Sequence, residues 1–143
     1  KFQTRKVLAD FNMTSIDEFY FLLSIGRLGS PSKNEVYKDT ITELTTGAQI
    51  MRRIISNGFV SEIPDVHDKR VKRVRLTEKG EKIKNKIFLE FSQSVILKTG
   101  NLSREEKENF LNILKKLDEF HSLIYENDPD KPINVLIEKY IMP

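Results

Sequence analysis

The sequence contains no cysteine, no tryptophan and only two histidines, His67 and His121. Without cysteine there can be no disulfide framework, thiolate metal site, cysteine nucleophile or thiol-based redox sensing. Two histidines argue against a histidine-rich metal site within one chain, and their positions favour a loop residue and a helix-face residue. We therefore expect neither a metal nor a cofactor.

Long apolar runs are also missing. The longest, residues 19–25 and 95–97, fall far short of the roughly 20 residues that span a bilayer. Residues 1–6 are polar and of mixed charge, with no apolar run behind them, unlike a secretory signal. These patterns predict a soluble, cytoplasmic chain with no membrane partner.

Catalytic patterns are absent as well. The sequence has no glycine-rich phosphate loop, no nucleophile with a partner histidine and no metal-ligand spacing. Paired carboxylates such as Glu105 and Glu106 lie in the first turn of a predicted helix, where capping and the helix dipole explain them. We expect that the protein is not an enzyme.

The charge is unevenly distributed. The net charge is +3, and residues 33–98 carry 14 Lys and Arg against nine Asp and Glu, whereas residues 101–143 carry six against nine. The middle of the chain is thus basic and the tail is acidic, which favours an anionic partner for the middle.

Capping signals and helical periodicity predict three short helices in the first part of the chain. The capping boxes are Thr14 with Asp17, Ser15 with Glu18, and Ser32 with Glu35. The first helix ends near residues 26–29 and the second at about Thr40. The third runs from about Leu44 to Asn57, and Gly58 follows its end.

The pattern then changes to the two-residue period of strands. Residues 59–63 predict one strand, residues 64–70 a charged loop and residues 71–76 a second strand, in which Val74 and Leu76 face one way and arginines the other. Three helices followed by a two-stranded hairpin is the order of a winged helix-turn-helix.

Two long helices are predicted after the hairpin. The first runs from Thr77 to Gly100, and Ser103 with Glu106 caps the second. The predicted buried face of this last long helix consists of Phe110, Leu114, Leu117 and Ile124. The apolar segment 129–143 needs a cover, either the chain's own long helices or a partner subunit.

The third helix has a polar outward face if its isoleucines and Met51 turn inward. That face holds groups that can bond base edges and phosphates. Its members are Thr45, Thr46, Gln49, Arg52 and Arg53. Arginines on an exposed face are also typical of an ordinary solvated surface, but the adjoining hairpin favours nucleic acid.

The hairpin is densely basic, with five Lys and Arg among the seven residues from Lys69 to Arg75. Such charges repel one another unless a polyanion neutralises them, and phosphate contacts release counterions. Arg70, at the end of the loop, suits a narrow minor groove.

These residues resemble the MarR family of bacterial regulators. Asp68, Lys69 and Arg70 match the D-x-R wing of that family, and residues 76–80 match its L-T-x-x-G signature. Residues 102–117 also look like its last helix. The resemblance covers roughly residues 14–126. The wing residues of the expected interface are Asp68, Lys69, Arg70, Lys72 and Arg73.

The resemblance implies a mainly α, α+β fold: a winged helix-turn-helix with long dimerisation helices, forming one structural domain. We expect a DNA-binding lobe at residues 14–78 and a helical dimerisation region at 1–13 and 79–143. The expected dimer contacts are Phe110, Leu114, Leu117, Ile124, Leu136 and Tyr140.

The function implied is that of a homodimeric transcriptional regulator, a repressor on a pseudo-palindromic DNA operator, with Arg70 at the minor groove. Its partners would be double-stranded DNA, a second copy of the chain and a small-molecule effector. This ligand, or another signal, would relieve repression. A winged-helix module for protein–protein contact is the alternative, and it predicts weak, salt-insensitive affinity for DNA.

Two residues depart from the family pattern. Tyr37 stands where a small residue is usual, and Gly47 stands where the recognition helix usually has a branched apolar residue. Glycine within a helix costs about 1 kcal/mol relative to alanine. We therefore expect the start of this helix to be displaced or frayed.

Overall fold

The computed structural model describes residues 8–65 and 71–142 of the protein. Helices predominate in this part of the chain, and a single two-stranded antiparallel sheet follows the third helix. The elements are α1 (Ile16–Leu28), α2 (Lys33–Asp39), α3 (Leu44–Ser56), β1 (Val60–Pro64), β2 (Lys72–Leu76), α4 (Glu78–Lys98), α5 (Arg104–Asn127) and α6 (Ile133–Tyr140). The predicted mainly α fold with a hairpin wing is confirmed.

The chain divides into two compact units, one up to Leu97 and one from Lys98 onward. The first unit holds the three short helices, the hairpin and nearly all of α4. Its core is formed by apolar side chains that the surrounding helices and hairpin remove from water. The largest of these that are fully buried are Phe21, Leu22, Ile25, Met51, Ile54, Phe59 and Ile87.

Two of the predicted capping boxes are confirmed. At the start of α2, the Glu35 amide donates to Ser32 Oγ at 3.3 Å and the Ser32 amide donates to Glu35 Oε2 at 2.6 Å. The hydrogen bond from the Ser32 amide, followed by that from the Ser32 side chain, lowers the pKa of the Glu35 carboxyl. Ser103 and Glu106 form the same arrangement at the start of α5.

The capping boxes predicted for α1 are wrong. Ser15 is the N-cap residue, but its side chain makes no capping hydrogen bond. Glu18 instead lies fully buried and accepts hydrogen bonds from Thr14, one residue before the cap. The carboxylate points inward because its partner, Arg53, lies on another helix, α3.

The hairpin pairs Val60 with Leu76 at one end and Pro64 with Lys72 at the other. A third stretch of backbone extends it, since the Val74 amide donates to the Pro31 carbonyl at 2.8 Å and Ser32 forms a β-bridge with Arg73. The wing is thereby attached to the segment that begins α2.

The L-T-x-x-G signature has a packing reason. A Cβ on Gly80 would lie 2.0 Å from the carbonyl oxygen of Phe59, so only glycine lets α4 approach the start of the hairpin this closely. Thr77 Oγ1 donates to the Gly58 carbonyl at 2.7 Å and accepts from the Gly80 amide at 3.0 Å. These two residues fix the exit of the hairpin into α4.

The second unit consists of α5 and α6, and neither helix buries a residue within the chain. The tail helix α6 packs on α5 of its own chain. The ring of Tyr140 meets Phe120 edge-on at 6.2 Å, and Tyr140 Oη and Lys139 Nζ donate to Asp128 at 2.7 and 2.6 Å. In the described residues, the helices are too short or too polar to cross a membrane.

Candidate nucleic-acid interface

Helix α3 places one apolar face inside the first unit and one polar face in solvent. Ile50, Met51 and Ile54 are at most 2% exposed. Of the predicted outward residues, Thr45, Thr46, Gln49 and Arg52 are exposed and Arg53 is half-buried. The outward row is a polar surface presented by a helix whose rotation is fixed by its core side chains.

Arg53 is held by a buried acid. Its Nε donates to Glu18 Oε1 at 2.9 Å, while its side chain stays 40% exposed and that of Glu18 is 0% exposed. The pair links the first turn of α1 to the last turn of α3, across 35 positions of sequence. An open groove of about 490 Å³ runs along this part of α3, lined by Gln49, Arg52, Arg53 and Ser56.

Some basic side chains of the wing are exposed to solvent, and another is held by contacts within the protein. Lys72 and Arg75 are exposed. Arg73 is half-buried: its Nε donates to Asp65, and its Nη1 donates to the Ser30 carbonyl at 2.8 Å. Asp65 is itself 7% exposed. Arg73 therefore anchors the wing to the start of the helix-turn-helix.

Three of the predicted wing residues, Asp68, Lys69 and Arg70, lie outside the described residues. Their roles therefore stay predictions based on the resemblance.

A carboxylate lies among the basic residues of this surface. Glu62 on β1 pairs with Lys33 at the start of α2 and with Lys72 on β2, the second contact measuring 3.0 Å. The hydrogen bond from Lys33, followed by that from Lys72, lowers the pKa of Glu62. Glu62 keeps two cations of the surface in place and neutralises part of their charge.

The sequence reasoning missed Glu18, Lys33, Glu62 and Asp65. A signal existed for Glu18, because it occupies the same helical stripe as Phe21, Leu22 and Ile25, where a charge requires a partner. No comparable pattern marked Lys33 or Glu62, whose pairing depends on the register of the hairpin.

The predicted dimer contacts form an apolar row in the second unit. Phe110, Leu114 and Leu117 are 51%, 45% and 48% exposed, and Ile124, Leu136 and Tyr140 are half-buried. Within one chain this row has little cover.

Among residues 8–65 and 71–142, no group of three or more His, Asp or Glu side chains lies close enough to hold a metal ion. An open cavity of about 530 Å³ lies between α1 and the end of α2. It is lined mostly by apolar surface, with an ion pair at Arg27 and Asp39. The lining residues are Tyr20, Leu23, Ser24, Arg27, Asp39, Thr40 and Ile41.

No model of a protein family matches the chain. Two curated relatives do. The chain is 29% identical over 73 residues to the uncharacterized HTH-type transcriptional regulator YybA of Bacillus subtilis, a match that covers 51% of the chain and 49% of the relative. It is 28% identical over 106 residues to the HTH-type transcriptional regulator BilQ of Clostridium symbiosum, covering 72% of each. The chain thus spans about half the length of the first relative.

A solved structure of a transcriptional regulator is also similar to this chain. A mutant of MarR from E. coli, complexed with operator DNA, superposes with a TM-score of 0.69 at 26% identity, over 80% of this chain and 82% of that one. Element order, the L-T-x-x-G contact and the hairpin sequence agree with this likeness. The chain is therefore similar in sequence and in fold to winged helix-turn-helix transcriptional regulators of the MarR type.

Proposed function

We propose that the protein is a homodimeric, sequence-specific DNA-binding regulator that represses transcription from a pseudo-palindromic operator. The observation that carries the proposal is the polar row of α3, which faces solvent while the opposite face of the same helix is fully buried. A helix presented in this way fits the major groove, where base edges offer hydrogen-bond partners.

The outward residues divide by chemistry. Thr45, Thr46 and Gln49 offer hydroxyl and amide groups for base edges, and Arg52 can reach guanine or phosphate. Lys72 and Arg75 on the wing supply cations for the backbone of the duplex. We assign Arg73 to holding the wing, because its donors already serve Asp65 and Ser30.

Dimerisation is the second part of the proposal. The apolar row of α5 and α6 is unpartnered in the second unit, and burial of each large apolar side chain gains about 1.5–3 kcal/mol. A second copy offers the same row, as a two-fold interface requires. Two copies would present two recognition helices to successive turns of the duplex.

A small-molecule effector is the third part. The cavity between α1 and the end of α2 is open and largely apolar, and its Arg27–Asp39 pair supplies polar groups for orientation. A ligand there would touch the end of α2, which leads directly into α3. We place the protein in the cytoplasm, in contact with DNA.

The test uses the whole chain. Duplexes enriched by the wild-type protein from a random pool are compared with a random duplex of equal length by fluorescence anisotropy, and native mass is measured by light scattering. We expect a dimer whose affinity for the enriched duplex exceeds that for the random duplex by about 10³-fold or more at 0.15 M salt.

A matched pair of variants localises the contact. Gln49→Ala on the outward row should reduce the preference for the enriched duplex, whereas Ser122→Ala on α5 should not. Equal affinity of the wild type for both duplexes, with little dependence on salt, would instead support the protein–protein module.

A further inference from the structure

We infer that Glu18 is a positioning residue for DNA recognition: it holds Arg53 by Nε alone, so that both terminal nitrogens of the guanidinium stay available to the duplex. The inference rests on the proposed function. It concerns a residue that lies inside the protein and never touches DNA.

Glu18 is built into the core as a fixed acceptor. Its side chain is 0% exposed, and three donors converge on one oxygen, Oε1: Arg53 Nε at 2.9 Å, Thr14 Oγ1 at 2.5 Å and the Thr14 amide at 3.3 Å. A buried carboxylate is costly unless it is paired and hydrogen-bonded. The position of Oε1 is therefore well determined.

The contact uses only one corner of the guanidinium. Arginine has five N–H donors in a planar fork, and the Nε–H accounts for one of them, which leaves four on the terminal nitrogens. The Arg53 side chain is 40% exposed and borders the groove along α3. A guanidinium whose plane is fixed at Nε can offer its two terminal nitrogens together to a guanine or a phosphate.

The second carboxylate oxygen of Glu18 helps to distinguish two roles: orienting the guanidinium of Arg53 and simply neutralising its charge. Glu18 Oε2 has no hydrogen-bond partner in the part of the chain that the structure describes. If the pair served only to cancel the charge of Arg53, a two-point contact with both oxygens would be the tighter arrangement. The one-point contact leaves the outer edge of Arg53 unused.

The two roles, positioning and neutralisation, predict opposite changes in affinity for DNA when Glu18 is replaced. If Glu18 orients Arg53, loss of the acceptor lowers affinity for the enriched duplex and leaves the random duplex unaffected or slightly better bound. If Glu18 only neutralises Arg53, its loss adds a free cation to the interface and strengthens binding to both duplexes. The ratio of the two affinities is therefore the informative quantity.

The experiment compares Glu18→Gln with Glu18→Leu on the two duplexes. The amide oxygen of glutamine can still accept from Arg53 Nε, so we expect Glu18→Gln to keep the wild-type ratio. Leucine cannot accept, and Glu18→Leu should lower the ratio about tenfold, as expected for a misplaced base contact. In an Arg53→Ala background, Glu18→Leu should cause no further change.

Arg53→Lys provides a test that leaves the core acid unchanged. Lysine keeps the charge but lacks the planar fork, so the ratio should fall about as far as in Glu18→Leu. This variant decides the matter if Glu18→Leu does not fold, which circular dichroism and titration of active protein would reveal. A wild-type ratio in Arg53→Lys overturns the inference.

Failure of the inference and failure of the proposed function are separate outcomes. If the wild type enriches no duplex from the random pool, the proposed function is wrong. If it does enrich one, but Glu18→Leu binds that duplex as well as the wild type does, or binds both duplexes more tightly, then Glu18 does not position Arg53.

Discussion

The ring of Tyr37 occupies the space that a side chain at position 47 would fill. A Cβ on Gly47 would lie 2.7 Å from Cδ1 of Tyr37 and 3.0 Å from two further ring atoms. Tyr37 is only 7% exposed, and its ring lies 6.0 Å from that of Phe21. Burial raises the pKa of the Tyr37 hydroxyl.

This contact explains both departures from the family pattern. In the family pattern, a small residue on α2 faces a branched residue on α3. Here the large Tyr37 on α2 fills the space, and Gly47 on α3 leaves room for it. The expectation that Gly47 displaces the start of the recognition helix is wrong, because α3 begins at Leu44 and Gly47 is buried within it. Two exceptional residues compensate each other.

Gly47→Ala should therefore destabilise the protein, although alanine favours helices over glycine by about 1 kcal/mol. The new methyl group must push the Tyr37 ring aside, and overpacking of this kind costs about 1–3 kcal/mol. Urea unfolding followed by circular dichroism measures the change.

The double variant Tyr37→Ala with Gly47→Leu should lose less free energy of unfolding than the two single variants lose in sum, by about 1 kcal/mol or more. Strict additivity would show that the two positions are independent.

Glu62→Gln should strengthen binding to DNA. The substitution releases Lys33 and Lys72 from the carboxylate, so more cations can displace counterions from the duplex. We expect the slope of log affinity against log salt to steepen by about one to two units. Glu108→Gln changes the net charge equally in the second unit, where Glu108 pairs with Arg104, and should leave the slope unchanged. Equal slopes for the two variants would contradict the role of Glu62.

Acidification should loosen helix α6. The pKa of Asp128 is lowered chiefly by the hydrogen bond from Lys139 and then by that from Tyr140. A lowered carboxyl pKa means stabilisation that is complete above the ordinary value of 3.8 and is lost as the pH falls through the lowered value. Hydrogen exchange of α6 amides should accelerate over that range beyond the intrinsic pH effect. Asp128→Asn should remove the dependence, whereas Asp130→Asn should keep it.

Leu117→Asp should dissociate or unfold the dimer. Leu117 lies in the middle of the apolar row of α5, and an aspartate there would be buried without a partner on association. Light scattering and circular dichroism distinguish a folded monomer from an unfolded chain. Lys115→Asp, on another face of α5, should remain dimeric. A native-mass, folded dimer of Leu117→Asp would place the interface elsewhere.

The order and approximate bounds of the elements from α1 to α5 could be predicted, because capping and periodicity are local signals, but the tail helix α6 was not predicted. Ser32 with Glu35 begins α2 as the sequence predicts, and the inward face of α3 follows from the spacing of its apolar residues. Which partner a polar residue meets could not be predicted. Periodicity shows that Arg53 and Arg73 point away from the core, but not that Glu18 meets Arg53 from 35 positions away or that Asp65, just after β1, meets Arg73. The Tyr37–Gly47 contact could not be predicted either, because each residue taken alone only weakens the match to the family's sequence pattern.

The bridge between Ser32 and Arg73, with the Val74 amide on the Pro31 carbonyl, has a mechanical consequence. The strands of the hairpin and the segment that begins α2 share one hydrogen-bonded ladder, so we expect these parts to move together. If the protein binds DNA as proposed, a signal that tilts α2 would displace the described strands of the hairpin together with the helix-turn-helix. Release from DNA would then be concerted, with no stage at which only one of the two elements stays bound.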